Sequence, residues 1–166
     1  MRKLDLSIET ITNLAYIAAG VGGLFVDAWI GFCVILLGLA SMYSHATKIW
    51  WPDWAAMWLA FSAILLKDFP PMYTVGLTAL FYAAEQELRK RPKSFGVGKY
   101  YILLGLLFVA GMIRSIEFIG FFYAAVYGLT FLIAFIIRQQ KDEYSHTIWH
   151  VIGGVGLAIY FIALSI

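Results

Sequence analysis

The sequence predicts an all-α membrane protein, a seven-transmembrane helix bundle with a cytoplasmic N-terminus and its C-terminus outside. Three observations predict it. Of the 166 residues, 62% are hydrophobic and 13% charged, with a mean hydropathy of +0.81. Soluble domains hold about 45–50% apolar and about 25% charged residues. The apolar residues fall into seven runs of the length that crosses a hydrocarbon core, roughly 17–25 residues. Lys and Arg collect on alternate connections between those runs. The same composition excludes a disordered chain and a coiled coil. A disulfide scaffold is excluded because Cys33 is the single cysteine. A net charge of +2 with no long basic tract implies no nucleic-acid partner.

The spans are 9–26, 28–47, 53–69, 71–88, 98–114, 117–137 and 146–165, a single domain over 1–166. Arg2 and Lys3 give the first the look of a signal peptide, but Asp5 and Glu9 interrupt it and no small-x-small cleavage site follows cleanly. It is read as a retained span whose Gly20, Gly22 and Gly23 allow close packing. Val26-Asp27 closes it, and Lys48 to Pro52 separates the second span from the third. Lys67 to Pro71 ends the third with two prolines. Glu85 to Lys99 is the longest polar stretch, and Glu85, Glu87 and the basic cluster up to Lys93 read as a solvated loop beside anionic headgroups. Arg114 to Glu117 forms a tight turn across which the two charges can pair, and Arg138 to Glu143 is the last connection. Links this short pair sequential antiparallel helices.

Orientation follows from the basic residues. One side holds ten of them, at the N-terminus, Lys48, the stretch from Arg89 to Lys99, and Arg138 with Lys141; Lys67 and Arg114 face the other. Trp50, Trp51, Trp54 and Trp58, with Tyr100, Tyr101 and Trp149, read as an aromatic belt at the inner interface.

Ionisable groups inside a bilayer are costly, so each is a functional candidate. The three histidines are His45, His146 and His150. The last two form H-x-x-x-H, one helical turn apart, where both imidazoles can reach one metal ion. Ser41 precedes His45 by one turn on the same face. The second span runs inward and the seventh outward, so Ser41, His45, His146 and His150 share the cytoplasmic leaflet with Asp53 at the start of the third. Three imidazoles plus a water compose an open, catalytic zinc site. Zinc there lowers the pKa of its water to about 7. Asp53 is the candidate general base and Ser41 a hydrogen-bond partner of the water or the developing oxyanion. Asp142, one turn before His146, competes with Asp53. Ser44 competes with Ser41 but points about 100° away from His45 around the helix. Asp27 and Asp68 lie at the far side, and Cys33 reads as a small packing residue.

S-x-x-x-H closing the second span, an Asp opening the third and H-x-x-x-H opening the last resemble the CREST superfamily. That group includes alkaline ceramidases, progestin and adipoQ receptors, haemolysin-III-like proteins, GPI-anchor remodelling lipases and myomaker-like proteins. The resemblance implies that His45, His146 and His150 bind zinc, that Asp53 contacts the zinc-bound water and that Ser41 supports it. Short loops imply a minimal prokaryotic member in the plasma membrane, and the cytoplasmic N-terminus resembles the adiponectin-receptor branch. Asp53 follows His45 closely and so sits at the membrane boundary.

The expected function is a zinc-dependent intramembrane hydrolase that cleaves an amide or ester bond in a membrane lipid. The alternative is a non-catalytic protein in which zinc staples the helices, lipid-binding or myomaker-like. A lipid-sensing receptor or channel ranks last, since no filter motif is visible. Neither the lipid headgroup nor the oligomeric state is legible, although Gly105 to Gly111 and Gly153 to Gly156 offer small-residue faces for close contacts.

Overall fold

Backbone in a hydrocarbon phase must satisfy its own hydrogen bonds, and helices do so within one segment. The computed structural model describes residues 7–90, 99–138, 140 and 144–166, and for residues 9, 89, 90 and 99–102 the backbone alone. All regular structure among them is helical: α1 (Ile8–Thr12), α2 (Leu14–Gly23), α3 (Ala28–Thr47), α4 (Trp51–Leu65), α5 (Pro71–Lys90), α6 (Lys99–Arg138) and α7 (Ser145–Leu164). Three segments are long and apolar enough to cross a membrane, Ala28–Thr47, Leu103–Arg138 and Ser145–Leu164, with Thr10–Leu24 a shorter apolar helix. The outside is as apolar as the inside. Phe25, Met72, Leu80, Phe121, Phe122 and Ile162 are all more than 60% exposed, and apolar surface on this scale suits a multi-pass membrane protein, not a soluble one.

Local chemistry sets the helix boundaries. Asp27 caps α3 by accepting the Ile30 N–H at 3.0 Å. Pro71 opens α5, where its missing N–H removes no helical bond. α6 contains a break. Gly120 takes φ 73°, ψ 162°, a backbone state that side chains disfavour. The rings of Phe108 and Phe131 nonetheless lie 5.0 Å apart, whereas on a straight helix they would be separated by about 35 Å. The two arms of α6 therefore fold back on each other, and the reversal sits at Gly120. The sequence predicts that turn at Arg114–Glu117, but helix continues through both residues because nothing there breaks it. The two side chains pair on one helical face, not across a loop.

α2 packs against α3 and α7, α3 against α4, α4 against α5 and α6, and α6 against α7, which closes a ring. The approach of α2 to α7 depends on missing side chains. A Cβ on Gly154 would sit 2.6 Å from the Ala15 Cβ and 2.9 Å from its carbonyl carbon. Gly20 and Gly23 make comparable approaches to Ile35 and Phe161, as expected for a close-packing face, but Gly22 and Gly105 face open space. Cys33 is a buried free thiol.

Two further expectations are corrected. Glu85 is not in a solvated loop: it is 0% exposed and accepts the Trp58 indole N–H at 2.6 Å. Trp58 is correspondingly 0% exposed and stacked on Phe81, so it belongs to the core and not to an interfacial belt. Both follow from α5 continuing as helix to Lys90, which turns position 85 back toward α4. Of the residues that set the predicted orientation, Arg2, Lys3, Arg91, Lys93 and Lys141 lie outside the described residues. Lys67 and Arg114 meet over the Phe118 ring, at 4.4 and 4.5 Å. That end of α4 is about 20 Å from its start at Trp51, by the helical rise.

Candidate metal centre

The last turns of α3 and the first turns of α7 present their histidines to the same point. On α3, Ser41 and His45 are one turn apart; on α7, so are His146 and His150. The His45 Nε2 atom lies 3.0 Å from Nε2 of His150 and 3.1 Å from Nε2 of His146. The three ligand atoms all fall within 4.8 Å of one another. His45 is 0% exposed and His150 2%, with His146 half-buried. An imidazole nitrogen carries either one N–H or one in-plane lone pair, so Nε2 of His45 cannot hydrogen-bond both neighbours at once. Three nitrogens converging this way fit a cation that accepts all three lone pairs. Zn–N bonds of about 2.0–2.1 Å in a tetrahedron separate the nitrogens by about 3.3 Å, close to the contacts seen. These three histidines can bind a metal ion, with a fourth position left for another ligand.

Aromatic edges hold the rings in place. Trp50 packs edge-on to His45 at 5.2 Å and Tyr16 edge-on to His150 at 5.8 Å. Neither contact is visible in the sequence, because both depend on which helices become neighbours.

The other sequence candidates divide as follows. The Ser44 hydroxyl accepts the Asp53 backbone N–H at 3.2 Å, satisfying one of the unpaired donors at the start of α4. Ser44 thus has a capping task. Ser41 is fully buried, and its hydroxyl faces the Asp53 carboxylate without closing a hydrogen bond of standard geometry. Asp53 itself is half-buried in the first turn of α4. Asp142 lies outside the described residues.

Asp53, His146 and His150 share the wall of a cavity of about 940 Å³, at the upper end of the roughly 300–1,000 Å³ typical of ligand pockets. Most of the remaining lining is apolar and comes from α4, both arms of α6 and α7: Met57, Phe61, Leu104, Phe108, Met112 and Phe131 among others. Val109, Leu129 and Leu132 line it while being about half exposed, so the cavity reaches the lateral surface of the bundle between the arms of α6. Lys48 and Arg138 line the same cavity. The sequence carries no sign of it, since its walls are set by the fold-back at Gly120. No protein-family model matches the chain, and no curated protein matches it significantly in sequence.

Proposed function

We propose that this protein is a seven-span integral membrane enzyme of the CREST type, with a cytoplasmic N-terminus. In this proposal His45, His146 and His150 hold zinc, and a lipid amide or ester bond is hydrolysed beside them. The observation that carries the proposal is the joining of two environments in one cavity: a polar end with His146, His150 and Asp53, and an apolar trough open to the side. An acyl chain lying in the trough brings its carbonyl to the polar end.

Zinc held by His45, His146 and His150 would supply a nucleophilic water near neutral pH and a Lewis acid for a carbonyl oxygen. Asp53, on the cavity wall, is the group that would take a proton from the attacking water on its carboxylate and return it to the departing amine or alcohol. The Ser41 hydroxyl, which faces the Asp53 carboxylate, would orient it or hydrogen-bond the attacking water. Overall the carbon–nitrogen or carbon–oxygen bond breaks, the acyl carbon gains OH and the leaving group gains H. Phe61 packs edge to face on Phe108 and Phe131 at 5.6 and 5.5 Å, those two rings lie tilted at 5.0 Å, and the cluster keeps bulk water out of the trough.

The test is a pair of measurements on purified protein, metal content and cleavage of a panel of ceramides and glycerolipids. Asp53→Asn is expected to keep stoichiometric zinc and lose cleavage by about 10²–10⁴-fold. Cleavage at the wild-type rate by that variant, or by protein stripped of metal, would refute the reading. A second reading is a non-catalytic protein stapled by zinc. Its support is that His45 and His150 join two helices far apart in the chain through a buried contact. It requires that metal removal unfold the protein and that the wild type cleave nothing in the panel.

A further inference from the structure

Two cations on the cavity wall have no task in hydrolysis. Lys48 is the C-cap residue of α3 and Arg138 the last residue of α6, and both line the cavity together with Trp50 and His146. Both charges act electrostatically on His146. Apart from Asp53 and the two histidines, the rest of the lining is apolar or aromatic, so positive charge is confined to one end of a greasy trough.

Lys48 is also out of place on backbone grounds. Its φ of 60° and ψ of 28° are left-handed, the conformation that glycine fills at helix C-termini because a Cβ is unfavourable there. Residues kept in such conformations cluster at ligand clamps. Basic residues at the inner ends of spans commonly face bulk headgroups. These two differ in lining the cavity that holds the histidines.

We infer that Lys48 and Arg138 form a clamp for a phosphate-bearing headgroup, so that the substrate class of the proposed site is a phospholipid with its acyl chain in the trough. Phosphate suits two cations approaching from different helices. It offers several oxygens at once, a planar fork for Arg and a point charge for Lys. A carboxylate is satisfied by the arginine alone. The inference rests on the hydrolytic reading for the chemistry only; the binding it predicts is independent of turnover.

The experiment uses Asp53→Asn protein, full length, in nanodiscs of zwitterionic lipid. Single-chain ligands of equal chain length compete against a fluorescent single-chain probe: a lysophosphatidate, a fatty acid, a monoacylglycerol, and chainless glycerol phosphate. The lysophosphatidate is expected to bind at least tenfold tighter than the other three. In Lys48→Gln/Arg138→Gln the preference over monoacylglycerol should fall below threefold, with metal content unchanged. If that double variant fails to fold, Lys48→Gly, which suits the left-handed backbone, and Arg138→Gln are read singly, each losing part of the preference. Equal binding of the three lipids, a preference that survives the substitutions, or glycerol phosphate binding as tightly as the lipid would overturn the inference. So would loss of the preference on chelation, which would assign the phosphate to the metal. Absence of hydrolysis in wild-type protein, with the preference intact, would overturn the hydrolytic reading and leave the clamp standing.

Discussion

Gly154→Ala is expected to loosen a metal site that it does not touch. The new Cβ would lie 2.6 Å from the Ala15 Cβ, against ordinary contact from 3.4 Å, a shortfall of about 0.8 Å. The next nearest atoms, at 2.9 and 3.1 Å, are the backbone carbonyl carbon and oxygen of Ala15, which cannot swing aside. The axis of α7 must therefore back away from α2. His150 is one turn earlier on α7, and metal–ligand distances tolerate only about ±0.2 Å, a quarter of the displacement. Metal affinity should fall at least tenfold, the lower bound of the roughly 10–100-fold typical when a ligand's support is altered. Stability changes less, because overpacking costs about 1–3 kcal/mol while alanine gains about 0.8–1.0 kcal/mol over glycine within a helix. The net is a loss of about 0–2 kcal/mol. Gly76→Ala is the control: Gly76 sits within α5 with nothing near its absent Cβ, so it should stabilise by up to about 1 kcal/mol and leave the metal alone. Zinc affinity by chelator competition and thermal unfolding in detergent measure both variants. Wild-type zinc affinity in Gly154→Ala would refute the coupling of α2–α7 packing to the site.

Trp58→Phe keeps the stack on Phe81 but removes the indole N–H donated to the buried Glu85 carboxyl, at a cost of about 1–3 kcal/mol in unfolding experiments. An unchanged unfolding midpoint would show that bond to be dispensable. Chelation should lower the unfolding midpoint and added zinc restore it, since metal at about 100 times its Kd stabilises by about 2.7 kcal/mol; a midpoint indifferent to metal would refute binding at the histidines. Protons compete with metal for the imidazole nitrogens, so metal affinity should fall as the solution is acidified. Affinity that stays constant down to the pH at which the fold itself is lost would exclude imidazole ligation.

Periodicity and spacing disclose what is local. The four-residue steps from Ser41 to His45 and from His146 to His150, and the placing of both pairs at helix ends, were enough to predict that three histidines meet, and their Nε2 atoms do so. Helix length was less legible where no residue marks an end. Arg114 and Glu117 look like a turn because charges usually leave the bilayer, yet the helix runs on to Gly120, where backbone conformation and not polarity makes the break. Glu85 failed for the same reason in reverse. A carboxyl reads as solvated until α5 is known to extend past it and bring it to the Trp58 indole. The cavity was invisible because both arms of α6 and α4 contribute to it, and no single stretch of sequence contains its shape.

The position of the histidines in the ring of helices has a consequence for assembly. His45 and His150 are 105 residues apart in sequence, so closing a loop of that length costs entropy that local contacts cannot return. α2 touches both α3 and α7, so it supplies the surface on which α7 docks, and Gly153 and Gly154 set how closely. Only after docking do the nitrogens converge. A metal that binds the closed ring and not the open one stabilises it by mass action, and the tightness of the α2–α7 seam becomes a determinant of metal affinity. Catalysis and stapling then call for the same packing and diverge only at the Asp53 carboxylate, which lines the cavity beside the imidazoles.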